Sequence, residues 1–488
     1  MLDNSLGVAL YQQLYQKIRE GILSGRFTAK TRLPSSRDLA NTLGISRNTV
    51  ITAFDQLLAE GYLEGRLGAG TYVASVLPEE PLKPLLTEEN KDIQNNLQPN
   101  ISKRGKLISS IRIGIKDRFG IDSGRPKAFQ VCLPAYDDFP FELWGKLVAK
   151  HWRYPKYDML SYGDPGGYYL LRQTLAEYLT KARALRCSPE QIIITSGAHH
   201  AFDLVARVLF DPGDSIWMED PGFRGTRAVF ESLGVNLINI PVDEEGLNVS
   251  EGISRFAKAR AAYITPSHQF PLGVTMSLKR RLALLEWAQT YQSWIIEDDY
   301  ISEFRYSSRP IAALQGLDNI GCVIYIGTFS KVLLPALRIG YIVVPENLID
   351  VFLNAKALSC RYSNPFEQAT LADFMINGHF DQHLRRMLKL YRERQETLVK
   401  AIKSESEGLI DITYASSGMH LNAWLPSQTN DQEIAQILEE QNIYSVPISA
   451  CALSTKCRPG LMLGYTSFNT QEIIENANKL IKIIKSKL

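Results

Sequence analysis

The stretch Val323-Ile324-Tyr325-Ile326, continuing through Thr328-Phe329-Ser330-Lys331 and past Arg338 to Ile339-Gly340-Tyr341-Ile342-Val343, decides how the larger part of this chain is read. Two short β-branched runs enclose a loop that holds one lysine. Short runs without a polar face are strands buried on both sides, as in a parallel sheet covered by helices. The same texture occurs upstream at Ile192-Ile193-Ile194, Ser215-Ile216-Trp217-Met218, Ala261-Ala262-Tyr263-Ile264 and Trp294-Ile295-Ile296, with longer amphipathic stretches between. That alternation predicts βαβ units and a mostly parallel central sheet, an α/β arrangement, from about residue 129 to the end.

Lys331 is the residue of interest in the turn. A lysine in an apolar strand-to-helix loop is costly to bury as an ammonium. Condensation with an aldehyde is one reason to place it there. The hydroxyls of Thr328 and Ser330, with Arg338, could ligate a phosphate. A surface lysine in a polar loop is the plainer alternative. Upstream, Glu297-Asp298-Asp299-Tyr300 sits at the carboxyl end of an apolar strand, where ligands of open α/β sheets bind. A carboxylate there could keep a pyridine nitrogen protonated; a magnesium trio is the alternative, but no P-loop accompanies it. Thr195-Ser196-Gly197-Ala198 follows another strand and opens a helix, and small residues at a helix N-terminus leave backbone N–H groups for an anion. The neighbours His199 and His200 would point about 100° apart on a helix and cannot easily chelate together. His379 and His383 lack the Glu of His-Glu-x-x-His and read as a helix face, so no metal site is expected.

The first 75 residues have a different texture. Leu10, Leu14, Ile18 and Ile22 form a helical stripe. Ser35 can cap a second helix with Leu39, Ala40 and Leu43 inward, ended by Gly44; Ser46 opens a third with Val50, Phe54, Leu57 and Leu58 inside. This is a helix-turn-helix. Gly61-Tyr62-Leu63 and Gly70-Thr71-Tyr72-Val73 predict a hairpin wing. Ser46, Arg47, Asn48 and Thr49, at the start of the third helix, would lie near bases and phosphates, with Arg37 and Arg66 flanking. Residues 1–75 hold eight Lys+Arg against six Asp+Glu, so charge gives little support and the pattern carries the reading. Residues 76–128, with Pro78, Pro81, Pro84, Pro99 and Pro126, read as a linker holding a short helix near 107–118.

Composition sets the outer bounds. The chain has 488 residues, 54 Lys+Arg against 52 Asp+Glu, and 45% apolar residues, which excludes a disordered chain or a basic nucleic-acid coat. No apolar run approaches a membrane span and no signal peptide is evident at Met1-Leu2-Asp3-Asn4. The six cysteines form no Cys-x-x-Cys pair, which suits a reduced, cytoplasmic protein.

Two resemblances rest on these motifs. Leu33-Pro34-Ser35-Ser36-Arg37-x-Leu39-Ala40-x-x-Leu43-Gly44-Ile45-Ser46-Arg47-x-Thr49-Val50, with Glu60-Gly61-Tyr62-Leu63 and Gly68-x-Gly70-Thr71-Tyr72-Val73, resembles the GntR-type winged helix. It implies a DNA reader over residues 1–75 in which Ser35, Arg37, Ser46, Arg47, Asn48, Thr49, Arg66 and Gly68 meet the duplex. Residues 129–488 resemble fold-type I pyridoxal-phosphate enzymes of the aspartate aminotransferase group. The likeness is carried by Ser161-Tyr162-Gly163-Asp164-Pro165-x-Gly167 with Leu171-Arg172, Ser196-Gly197-Ala198, Asp220-Pro221-Gly222-Phe223, Pro266-Ser267-His268-Gln269-Phe270-Pro271-x-Gly273, Glu297–Tyr300 and Thr328–Lys331. It implies pyridoxal 5'-phosphate bound as an aldimine on Lys331, Asp298 at the pyridine nitrogen and Tyr300 at the ring oxygen. Phe223 would stack on the ring. Gly197, Ala198, Thr328, Ser330 and Arg338 would hold the phosphate, and Tyr162 would reach the partner subunit's site.

The likeness has two departures. Met462 stands about where aminotransferases carry the arginine that clamps a substrate carboxylate, and their Asn-Pro-Thr-Gly turn is replaced by Gln269-Phe270-Pro271-Leu272-Gly273. A missing arginine removes a bidentate partner; Arg458, Arg361 and Arg224 are the candidate substitutes. The joint architecture resembles the MocR/GabR regulators. It implies a homodimer, head-to-tail, that reads operator DNA and senses an amino compound or, as in a PdxR-like regulator, the cofactor itself. An aminotransferase with an accessory reader and a DNA-binding scaffold with a dead pocket are the competing readings.

Overall fold

The computed structural model describes residues 2, 7–66, 70–78, 101–111, 126–306 and 311–487. The chain divides into two compact units, Met1–Asn100 and Ile101–Leu488.

In the first unit three helices, Leu10–Leu23, Ser36–Leu43 and Arg47–Ala59, precede an antiparallel hairpin of β1 (Leu63–Arg66) and β2 (Gly70–Val73). The helices stop and start where their caps dictate. Ser35 Oγ accepts the Asp38 N–H at 3.2 Å and Ser46 Oγ accepts that of Thr49 at 3.1 Å, each satisfying an orphan donor of a first turn. Gly44 ends the second helix at φ +66°, a left-handed position that suits a residue without a Cβ. Leu14, Ile18, Ile22, Ala40, Val50, Phe54 and Leu57 form the core with Leu63 and Val73. Leu43 departs from the expected inward side: it is 40% exposed, because the helix ends before its face is covered.

The second unit begins with a helix over Lys103–Ser110 rather than 107–118; residues 112–118 lie outside the described residues. It is built on an eight-stranded sheet of β3 (Ile192–Thr195), β4 (Ser215–Asp220), β5 (Asn236–Asp243), β6 (Gly246–Leu247), β7 (Ala261–Ile264), β8 (Trp294–Asp299), β9 (Val323–Thr328) and β10 (Gly340–Val343). The order is β3-β10-β9-β8-β7-β4-β5-β6. Strands β5, β4, β7, β8 and β9 run parallel to one another, whereas β10 is antiparallel to both β3 and β9. Alternation sends Ile324, Ile326 and Ile342 against Phe202 and Val205 of the helix Ala198–Leu209, and Tyr325, Tyr341 and Val343 to the other side with Leu171 and Leu175 of the helix Tyr169–Arg183. Both faces are thus covered, as the apolar runs require. A smaller sheet, β11 (His420–Trp424), β12 (Val446–Pro447) and β13 (Gly460–Gly464), packs with the helices His379–Glu405 and Thr470–Lys485. Among the described residues no helix is long and apolar enough to cross a membrane.

Candidate functional site

The carboxyl ends of β8 and β9 lie at the same end of the sheet as the N-terminus of the helix Ala198–Leu209, which follows β3. Strand alternation divides the acids on β8. Glu297 accepts the N–H groups of Leu314 and Gln315 at 2.8 and 2.9 Å. Asp299 Oδ2 accepts from Tyr325 at 2.6 Å and Arg183 at 2.8 Å. Asp298, between them, faces the other way and takes the Tyr263 hydroxyl on Oδ2 at 2.6 Å. Three acids on opposite faces with separate partners do not make one cation site. Among the described residues no group of three or more His, Cys, Asp or Glu could hold a metal ion.

Asp298 Oδ1 is buried and has no hydrogen-bond partner. Burial pushes the carboxyl up to about 7; the Tyr263 hydroxyl pulls it down, Asp299 and Glu219 add to the rise, and Lys331 opposes it. Two residues on, the Tyr300 hydroxyl is also buried without a partner, and burial raises it well above its ordinary value. A carboxylate oxygen and a phenol, both buried and idle, fit a ligand with a ring N–H and a ring oxygen. Asp299 Oδ1 is idle too, on the Arg183 side of the strand.

The turn after β9 carries Lys331, half-buried. It is closed by the Phe329 N–H on the Ile339 carbonyl at 3.0 Å. The Ser330 N–H donates to Thr328 Oγ1 at 3.2 Å, and the two hydroxyls lie 3.1 Å apart. Arg338 Nη2 donates to the Ser196 carbonyl at 2.8 Å. Gly197 has φ +84°, and a Cβ there would come within 3.2 Å of the Arg338 guanidinium. With the N–H groups of Ala198 and its successors at the helix start, this arrangement has the donors to hold an anion. The His pair divides its work: His200 Nδ1 accepts the Ser196 N–H at 3.2 Å, while His199 meets Phe223 edge-on at 6.0 Å. Burial, Arg338 and Lys331 all lower the His199 ring below its usual range. His383 Nε2 lies 3.0 Å from the Val332 carbonyl, so this helix-face histidine braces the lysine turn.

Phe223 precedes the helix Arg224–Ser232 and meets Phe270 edge-on at 5.4 Å. Its position follows from Asp220, whose carboxylate accepts the N–H groups of Leu453, Ser454 and Thr455 at 2.8 to 2.9 Å. Burial pushes the Asp220 carboxyl up, and these donors outweigh it to leave it below its usual range. Glu219 accepts from Thr265 Oγ1 at 2.6 Å and Gln269 Nε2 at 3.2 Å, and burial pushes it up to about 7.

Tyr263, Glu219 and His383 carry no sequence signal that marks them as parts of this site, and Asp220 is legible only as a member of the Asp220–Phe223 motif, without its role. Their partners lie up to 235 positions away. The structure brings Asp298, Tyr300, Phe223, Gly197, Ala198, Thr328, Ser330, Lys331 and Arg338 to one end of the sheet. Tyr162 stands apart from them within the chain, 76% exposed and stacked on Tyr362 at 5.3 Å. Met462 is fully buried on β13, opposite Asn422 of β11. Arg458 Nη1 is held by Asp411 at 2.8 Å, and Arg361 and Arg224 are exposed.

In the reader, Arg37, Arg47 and Asn48 are exposed at the tip formed by the second and third helices, with Arg47 Nε 3.4 Å from Ser36 Oγ. Ser46 and Thr49 join hydroxyls at 2.9 Å within the cap. Arg66 lies over the Tyr72 ring at 4.9 Å on the wing. Gly68 lies outside the described residues.

Residues 10–73 match Bacterial regulatory proteins, gntR family, and residues 136–475 match Aminotransferase class I and II. A solved structure of LysN, an alpha-aminoadipate aminotransferase of Thermus thermophilus complexed with N-(5'-phosphopyridoxyl)-L-leucine, is 26% identical with a TM-score of 0.71, covering 79% of this chain and 97% of that one. The combination defines a transcriptional regulator with a GntR-type DNA-binding unit and an aminotransferase-like unit. The probable rhizopine catabolism regulatory protein MocR of Rhizobium meliloti is 38% identical over 482 residues, 98% of this chain and 94% of that protein. The pyridoxine biosynthesis transcriptional regulator PdxR of Corynebacterium glutamicum is 30% identical over 383 residues, 78% of this chain and 76% of that protein. The chain belongs to this MocR-type family of regulators.

Proposed function

We propose that this protein regulates transcription in the cytoplasm by binding double-stranded operator DNA as a head-to-tail homodimer, and that pyridoxal 5'-phosphate held on Lys331 lets it sense an amino compound or the cofactor itself. The observation that carries the reading is the pair of idle buried atoms, Asp298 Oδ1 and the Tyr300 hydroxyl, set beside a lysine turn and an anion cradle. When bound, the cofactor supplies an aldehyde that holds primary amines reversibly. Lys331 Nζ is the chain's own amine for it. Asp298 would hold the ring nitrogen's proton at Oδ1, Tyr300 would donate to the ring oxygen, and Phe223 would cover the ring. Gly197, Ala198, Thr328, Ser330 and Arg338 would bind the phosphate.

The proposed domain division is a reader over 1–75, a linker over 76–128 and an effector unit over 129–488. Tyr162 is proposed to complete the partner's site. The exposed Trp152, Tyr154, Tyr157 and Leu160 beside it support a covered face. In the reader, Ser35, Arg37, Ser46, Arg47, Asn48, Thr49, Arg66 and Gly68 are the proposed DNA contacts. Sensing, rather than steady transamination, is favoured by Met462; residual turnover is compatible with the retained lysine and acid. Borohydride treatment of cofactor-soaked protein tests the reading: it should fix one pyridoxyl group on Lys331, located by peptide mass, and Lys331→Ala should carry none. Labelling elsewhere, or none in wild type, would refute it.

A further inference from the structure

Cys132, 5% exposed, lies in the part of the site against which Phe223 and Tyr300 pack, and the Lys331 charge acts on its thiol. Cys132 belongs to one apolar cluster with Val131, Phe270 and Met462, against which Phe223 and Tyr300 pack. These residues come from separate parts of the chain, so the wall is a built feature and not one stray side chain. A molecule whose amine reaches toward Lys331 past Phe223 therefore sets its remaining atoms on a thiol, a thioether and a phenyl ring.

A carboxylate placed there needs a bidentate cation or several N–H donors, because an unpaired buried charge is strongly disfavoured. The cations near this wall are engaged or at its edge. Arg458 is paired with Asp411 at 2.8 Å and lies over Trp424 at 5.5 Å. Arg224 is exposed, its charge acting on the Cys451 thiol of this cluster, and Arg361 is exposed. The polar atom next to Met462 has the wrong sign for an anion. Asn422 Nδ2 is spent on the Pro271 and Leu272 carbonyls, both at 3.1 Å, and Oδ1 is left buried without a partner. An idle acceptor repels a carboxylate and takes a hydroxyl or amide donor.

We infer that the small molecule recognised at this site is a primary amine without a carboxylate, with an apolar face and an uncharged hydrogen-bond donor, rather than an α-amino acid. The inference rests on the cofactor reading above.

The test uses full-length, cofactor-loaded protein and pairs of probes that differ only by the carboxylate: tyramine against tyrosine, and ethanolamine against serine. Half-saturation is read from the absorbance of the bound cofactor. The amine of each pair should saturate at a concentration at least 10-fold lower than its twin. Met462→Arg should reverse that preference at least 10-fold; if this variant does not fold, the wild-type pairs decide alone. Equal or tighter binding of the amino acids by wild type would overturn the inference, as would amino-acid binding lost in Arg224→Gln, which would place a carboxylate clamp at the rim. No spectral response to any probe would overturn it too and leave the cofactor as the signal. Failure of the underlying reading looks different: no cofactor is taken up before any probe is added.

Discussion

Replacing Asp298 by asparagine should strengthen the cofactor-free protein and weaken its hold on pyridoxal phosphate. Burial pushes the Asp298 carboxyl up to about 7. A carboxyl whose folded pKa lies above its unfolded value of about 3.9 is protonated more readily when folded. Its contribution to stability is therefore lost as pH rises from about 4 to about 7. At pH 8 wild type carries the full cost of an ionised buried group, at most about 4 kcal/mol, whereas the amide carries none. Near pH 4 the two proteins should converge. Cofactor binding reverses the ranking. On the proposed assignment the ring N–H would meet Oδ1, the idle carboxylate oxygen, in a charge-assisted hydrogen bond worth about 1.5–3 kcal/mol. A neutral amide at this position cannot carry that charge, so the dissociation constant should rise about 10- to 150-fold. Urea denaturation of the cofactor-free proteins at pH 4 and pH 8, with fluorescence titration of the cofactor at pH 8, reads both effects. Unchanged cofactor affinity in Asp298→Asn, or a variant less stable than wild type at pH 8, would refute the assignment of Asp298 to the ring nitrogen.

Gly197→Ala puts a Cβ against Arg338 at a backbone position open essentially to glycine, a cost of about 1–3 kcal/mol; weaker cofactor binding, with less competition from inorganic phosphate, should follow in the same titration. Ser46→Ala removes the cap on the third helix and should lower stability by about 1 kcal/mol in the reader's own melting transition, leaving cofactor uptake unchanged, as calorimetry would show. Arg47→Ala should cost about 1–3 kcal/mol if the side chain reads a base, or lower the salt slope of DNA binding by about one if it meets a phosphate; a salt series by fluorescence anisotropy separates the two. Burial pushes His383 and His420 down to about 4, so both stay neutral in the fold while the unfolded chain takes up protons near 6.5. Their contribution is whole above about pH 6.5 and is lost as pH falls toward 4, up to about 3 kcal/mol each, and His383→Phe should flatten that acid limb of the stability curve.

Much of the fold was legible because local signals agreed with the tertiary structure. The runs at 192–194, 261–264 and 323–326 became buried strands, and Ser35, Gly44 and Ser46 cap the reader helices as their types suggest. Direction was less legible. Nothing in Ile339–Val343 marks β10 as antiparallel, since an apolar run reads alike both ways and its direction depends on how the loop over residues 329–339 returns the chain beside β9. Leu43 was misplaced because a helix of eight residues leaves its last side chain uncovered. The acids and the lysine were found through their place at strand ends. What positions them was not: Tyr263 reaches Asp298 across neighbouring strands, and Asp220 gathers its donors from the loop at 453–455. Such pairings depend on strand order, which one-dimensional periodicity does not encode. Met462 was legible as a departure, but its apolar neighbours Cys132 and Phe270 became visible only in three dimensions.

The central claim is that occupancy at Lys331 changes how the reader engages DNA. It requires the ligand to distinguish two arrangements of the protein, since a ligand that binds both equally shifts neither. The most direct measurement is a footprint and affinity titration of the full-length protein on the DNA upstream of its own gene, at fixed salt, with and without pyridoxal phosphate, for wild type and Lys331→Ala. The account predicts specific binding by both proteins, with a cofactor-dependent change in affinity or footprint in wild type that Lys331→Ala lacks. Specific binding unaltered by the cofactor and by the amines that occupy the site, or a cofactor response that survives Lys331→Ala, would contradict it.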